Sequence, residues 1–104
     1  MIIEFSGAEA EFKTFLGYLK GIGVDYKYLH RRSTEPSTTF SVETSHLDLI
    51  SLGLIRNYVE RERGVEVRVI LDGKRYDMVR DYESLHQRLK EMEETDKLVR
   101  GYHP

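Results

Sequence analysis

Residues 65–79, VEVRVILDGKRYDMV, carry two runs of alternating apolar and polar side chains around the dipeptide Asp72-Gly73. Asp-Gly favours a two-residue turn with both residues at positive φ, the geometry that matches the twist of a β-hairpin. Such a turn sets Leu71 opposite Lys74, Val69 opposite Tyr76 and Val67 opposite Met78. Val67, Val69, Tyr76 and Met78 then share one face, and Arg68 and Asp77 form a cross-strand charge pair on the other.

Working outward, residues 45–63 read as a helix that leads into this hairpin. Ser45 is its expected cap with Asp48 in the first turn, and Leu47, Ile50, Leu54, Ile55, Tyr58 and Val59 make its stripe, widened by Leu49 and Leu52. Gly64 ends that segment. On the far side of the hairpin Asp81 can cap a third helix, with Leu85, Leu89 and Met92 at i, i+4 and i+7 and Leu98 and Val99 completing the stripe. Residues 100–104 are expected to be a flexible tail.

The first half of the chain gives three further strands and a helix. Residues 1–5 alternate, and Ser6-Gly7-Ala8-Glu9 has the pattern of a capping box. Phe12, Phe15, Leu16, Leu19 and Ile22 follow at helical spacing until Gly21 and Gly23 stop the helix. Residues 24–30 read as a strand in which Val24, Tyr26 and Tyr28 share the parity that points into the core. Residues 31–37, RRSTEPS, read as an exposed loop, and residues 38–44 return as an antiparallel partner strand with Phe40 and Val42 on one face.

The order is β-α-β-β-α-β-β-α in one α+β domain spanning 1–104. Its first six elements match the split βαβ of a ferredoxin-like sandwich, and a fifth strand and a C-terminal helix extend it. A chain of 104 residues can bury a single core without staples.

Composition narrows function by exclusion. No cysteine is present, which removes disulfides, thiolate metal sites and a cysteine nucleophile, and fits a cytoplasmic location. No apolar run approaches the ~20 residues of a membrane helix, and the N-terminus lacks the features of a signal peptide. A net charge of −2 made of many charges of both signs predicts no bulk attraction to nucleic acid or anionic membrane.

Chemical motifs are sparse. His30, His46, His86 and His103 have no metal-ligand spacing, Gly21-Ile22-Gly23 follows a helix rather than a strand, and no serine sits in a GxSxG elbow. The acidic residues Glu91, Glu93, Glu94 and Asp96 lie at mixed helical phases without a calcium loop. No catalytic residue, metal or cofactor is therefore expected, and the balance leans away from an enzyme.

Residues 45–92 resemble the effector-associated constant component domains, small bacterial domains of predicted conflict systems. The carrying features are the apolar helix LDLISLGLIRNYVERERG, the strand VEVRVI, the Asp72-Gly73 turn and the segment KRYDMVRDYESLHQRLKEM. The resemblance implies a non-catalytic adaptor or sensor component beside an effector enzyme, and it assigns no site residue.

The leading expectation is a non-enzymatic protein-interaction module, a small regulatory, adaptor or inhibitor component of a bacterial or phage system. Its partner is another protein or a second copy of itself, as a homodimer through the hairpin edge or the C-terminal helix. The expected interaction surface joins the 31–37 loop with the third helix, and its residues are His30, Arg31, Arg32, Arg68, Arg75, Tyr82 and His86. One alternative is a small-molecule or nucleotide sensor with Arg31, Arg32, Arg68 and Arg75 as anion contacts on an open sheet face or in a dimer cleft. The other is an RNA-binding ferredoxin-like domain, with Tyr26 and Tyr28 stacking on bases.

Overall fold

At Asp72-Gly73 the chain reverses as the dipeptide demands, with φ of 52° at Asp72 and 76° at Gly73. The turn joins β4 (Glu66–Leu71) to β5 (Lys74–Asp77), with Leu71 opposite Lys74 and Val69 opposite Tyr76. The Met78 N–H donates to the Val67 carbonyl at 2.9 Å, which carries the pairing one step further. Val67, Val69, Tyr76 and Met78 are all buried. Arg68 and Asp77 do stand opposite each other, yet the expected charge pair does not form. Arg68 turns to Glu4 and Glu66, while the Asp77 carboxylate accepts the Val79 and Arg80 N–H groups as the chain leaves the sheet.

The computed structural model of the chain describes residues 1–34 and 37–101. Its five strands, which include β1 (Ile2–Gly7), β2 (Lys27–Thr34) and β3 (Ser37–Glu43), form one sheet in the order β2-β3-β1-β4-β5. All neighbouring pairs are antiparallel. The helices are α1 (Glu9–Gly21), α2 (Leu49–Arg61) and α3 (Tyr82–Gly101), so the protein is an α+β fold with a five-stranded antiparallel sheet and three helices.

Register decides which side the helices cover. Ile3 pairs with Val42 and Val69, and Phe5 pairs with Phe40 and Val67, so these apolar residues share one face. Phe12, Phe15 and Leu19 of α1, Leu52, Ile55, Tyr58 and Val59 of α2, and Leu85 and Leu89 of α3 close over it in a single core. Each large side chain buried there contributes roughly 1.5–3 kcal/mol relative to exposure. Phe12 stacks on Phe40 with ring centroids 4.2 Å apart, and the Tyr18 hydroxyl donates to the Leu54 carbonyl at 2.8 Å, tying α1 to α2.

Several boundaries move, each for a local reason. Ser6 is strand rather than cap: it pairs with Thr39 and Glu66, and its hydroxyl meets Thr39 and Arg68. Ala8 takes the N-terminal position of α1, and its N–H donates to Glu11 rather than to Glu9. At the other end Gly23, with φ of 84°, completes a Schellman motif in which Val24 N–H donates to the Leu19 carbonyl and Gly23 N–H to that of Lys20.

That motif corrects the reading of the next strand. Val24 is buried by the helix cap, not by sheet parity, and β2 starts only at Lys27. Tyr28 lies opposite Val42 on the helix-covered side, but beyond most of that cover, and stays 49% exposed; Tyr26 is partly buried.

The expected loop over 31–37 is mostly strand. Ladder pairing from His30↔Ser41 to Thr34↔Ser37 overrides the polar composition, because an edge strand tolerates polar side chains wherever its backbone finds a partner. Residues 35 and 36 lie outside the described residues.

Helix α2 also starts later than expected. Asp48, not Ser45, is the cap, accepting the Ser51 N–H at 2.7 Å, and Leu47 reaches the core from the preceding link. This phase turns Ile50, placed on the stripe by sequence, 78% into solvent. Asp81 stands at the start of α3 and its carbonyl accepts the Leu85 N–H, but its carboxylate turns back to the Asp77 N–H.

The C-terminal helix packs beside α2 and β5. Leu85 and Leu89 anchor its first turns, whereas Met92 and Leu98 are 37% and 64% exposed as the helix runs past the body. The molecule is accordingly elongated, with extents of 53 × 25 × 25 Å. The helix includes 100 and 101, which the sequence assigns to the tail; 102–104 lie outside the described residues.

Candidate functional site

The sheet face without helices is polar by register. Glu4 pairs with Ser41 and Arg68, and Ser6 pairs with Thr39 and Glu66, so these side chains share the surface opposite the core. Glu4, Ser6, Thr39 and Ser41 are buried there despite the absence of a covering helix.

Burial obliges these groups to satisfy one another. Arg68 Nη2 donates to Ser6 Oγ at 2.7 Å, Arg68 Nε to Glu4 Oε1 at 3.3 Å and Arg68 Nη1 to Glu66 Oε2 at 3.0 Å. Arg75 Nε lies 3.0 Å from the same Glu4 oxygen, and the Ser6 and Thr39 hydroxyls are 3.0 Å apart. Among the described residues no buried side-chain polar atom lacks a partner. The arrangement ties β1, β3, β4 and β5 together. Arg68 is committed to it, whereas the Arg75 side chain keeps 58% exposure.

Two strands away, His30 and Arg32 stand on the same open face, opposite Ser41 and Thr39, and Arg31 stands opposite Phe40 on the helix side of β2. All three are exposed. From Arg32 the row runs through Thr39 and Ser6 to β4, three inter-strand steps, or about 14 Å. Arg32 and Arg68 therefore share the open face with β3 and β1 between their strands, and Arg68 is already bonded to Glu4, Ser6 and Glu66.

Tyr82 and His86 lie elsewhere, on the helix-covered side near α2. Their rings are 5.8 Å apart between centroids, and the Arg56 guanidinium sits 4.4 Å from the Tyr82 centroid. Arg56 also pairs with Glu60 one turn on, at 3.1 Å. The seven expected site residues thus fall into separate groups. β2 and the α3–β5 packing occupy opposite edges of the sheet, so the structure does not bring the described residues of the 31–37 segment together with the third helix.

One feature has no local signal in the sequence. A cleft of about 590 Å³ opens where α3 leaves the body, lined by Met1, His46, Leu47, Arg88, Leu89 and Met92 among others. It brings together the N-terminus, the β3–α2 link and the middle of α3. Only tertiary packing juxtaposes them; no periodicity marks such a set.

Perturbed ionisations lie at structural positions. Hydrogen bonds from Ser51, first its backbone N–H and then its side chain, hold the Asp48 carboxyl below its ordinary value. Burial raises the Tyr58 hydroxyl, and the Arg80 side chain bonded to Asp81 lowers that carboxyl. Among the described residues there is no group of three or more His, Asp or Glu side chains arranged to hold a metal ion, and no helix is long and apolar enough to cross a membrane.

No protein-family model matches the chain, and comparison with curated proteins and with solved structures gives no significant match.

Proposed function

We propose that this protein is a non-enzymatic protein-interaction module, acting as a small regulatory, adaptor or inhibitor component of a bacterial or phage system. We read its scaffold as a ferredoxin-like split βαβ sandwich extended by β5 and α3; the central position of β1 between β3 and β4 supports that reading. The observation that carries the interaction function is β2, an eight-residue strand at the outside of the sheet with His30, Arg31 and Arg32 exposed along it. An open strand edge offers a row of backbone donors and acceptors to another chain.

Site-specific photo-crosslinking in the source cells tests this. A photoreactive residue at His30 is expected to yield a discrete protein adduct, while one at Lys13, exposed on α1, yields none. Equal labelling from both positions, or none from either, would sink the proposal.

The cleft beside α3 supports a second reading, a small-molecule sensor, because its volume falls within the roughly 300–1,000 Å³ of ligand pockets. A thermal-shift screen against nucleotides and metabolites tests it. A ligand at 100 times its Kd adds about 2.7 kcal/mol, an effect that substituting Met92 with Glu should remove.

A further inference from the structure

We infer that β2 accepts an extended acidic segment of a partner protein as a sixth strand; this deepens the interaction reading and rests on it. The two sheet edges are unlike. The outer strand β5 has four residues and α3 packs beside it, whereas β2 has eight and pairs through its length with β3 alone. In an antiparallel ladder every second residue turns its N–H and C=O away from its partner strand, so β2 presents such groups along its outer side.

Charge names the occupant. The cations Lys27, Arg31 and Arg32 are exposed, with His30 exposed among them, and none of the four joins an ion pair or a side-chain hydrogen bond among the described residues. A second copy added through its own β2 would set these cations against one another, and like charges directly opposite are destabilising. A neutral strand gains nothing from them, and an acidic one gains at each. Cations on an edge guard against indiscriminate pairing, and the same guard selects for acidic strands.

Local geometry sets the register. The pairing with β3 shifts between Tyr28 and His30, then runs without interruption from His30 to Thr34. The regular stretch therefore lies on the basic side of the irregularity. Carboxylates on one face of the incoming strand would lie near His30 and Arg32, and one on its other face near Arg31. Before the shift, the half-exposed Tyr28 ring, 6.3 Å from Phe12 between centroids, extends the core toward the edge and offers contact to one apolar side chain.

The test uses the full chain and labelled short peptides followed by fluorescence anisotropy at physiological salt. The probes are an alternating Glu/Val peptide, its Lys/Val counterpart, the Glu/Val peptide with a central proline, and oligothymidylate. We expect the Glu/Val peptide to bind at least about tenfold tighter than both other peptides, and the Arg31→Glu/Arg32→Glu protein to lose about tenfold with an unchanged melting temperature. Equal binding of the proline peptide would mean charge without strand addition and overturn the inference. Tighter binding of oligothymidylate, falling steeply with salt, would overturn it in favour of nucleic acid. No binding of any probe would overturn it too. If the His30 crosslink still found a partner after peptide failure, the interaction reading would stand and only the acidic strand would fall.

Discussion

Glu4 of β1 and Arg68 of β4 face each other across the ladder, with Arg68 Nε 3.3 Å from Glu4 Oε1, on the sheet face that carries no helix. The Glu4 side chain is 8% exposed and the Arg68 side chain 20%, so the pair is screened less than a surface ion pair. Removing one partner should therefore cost more than removing both. Arg68→Met is expected to lose about 1–3 kcal/mol, because it strands a buried carboxylate that Arg75 alone must satisfy. Glu4→Leu combined with Arg68→Met should recover much of that loss. Urea unfolding of the single and double variants checks the sign of the coupling; strict additivity would contradict it.

The Asp48 cap makes the stability of α2 depend on acid. Its carboxyl is held below the ordinary value of 3.8 by the Ser51 N–H and then the Ser51 side chain. A folded-state pKa below the unfolded one gives stability that is present in full above the unfolded value and lost as pH falls through the folded value. Asp48→Ala should lose about 1 kcal/mol at neutral pH. The advantage of the wild type over Asp48→Asn should shrink as pH falls below 3.8 and vanish only once pH is under the lower folded-state value. Paired denaturation curves at neutral and acid pH measure both.

Gly73 sits at φ of 76° in the hairpin turn, where a β-branched side chain is strained. Gly73→Val is expected to cost about 1–2 kcal/mol and to lower the melting temperature by several degrees. Gly17, with open space around its Cβ position and no positive φ, should accept alanine in α1 with a small gain. Differential scanning calorimetry of the two variants separates backbone strain from simple loss of glycine.

The two ends of α3 should differ sharply. Leu85 is fully buried, so Leu85→Ala is expected to cost about 2–5 kcal/mol. Leu98 is 64% exposed, and Leu98→Ala should change stability by less than about 0.5 kcal/mol. Hydrogen exchange should show the same gradient, with amides around Leu85 protected and those near Leu98 opening locally.

Most of the core could be read directly. Phe12, Phe15 and Leu19, the hairpin face of Val67, Val69, Tyr76 and Met78, and Leu85 and Leu89 are buried as their periodicities require. The misplacements share a cause: a polar or capping residue could serve two local structures, and distant pairing chose between them. Ser6 had the pattern of a cap, but Thr39 and Arg68 hold it in the sheet. Asp77 had an opposite charge across the strand, but the turn into α3 claims its carboxylate.

The candidate site was less legible than the core. Its cations were identifiable one by one, yet a side chain's face on an edge strand follows from pairing register. Neighbours in a strand always take opposite faces, but that His30 takes the open face and Arg31 the helix side follows from how β2 meets β3 beyond the shift at Tyr28. The cleft around Leu47, Leu89 and Met92 joins parts of the chain far apart in sequence and carries no short-range signature.

By itself, then, the sequence determined the order of the elements, the hairpin turn and most of the apolar faces, because these rest on propensities and spacings within a few residues. Tertiary structure alone decided that Glu4 would be a buried partner for two arginines, that β2 would be left as a long basic edge, and that α3 would run on past the core. Those outcomes depend on which strands become neighbours and how much apolar surface remains to cover the last helix. Both are properties of the assembled sheet rather than of any one segment.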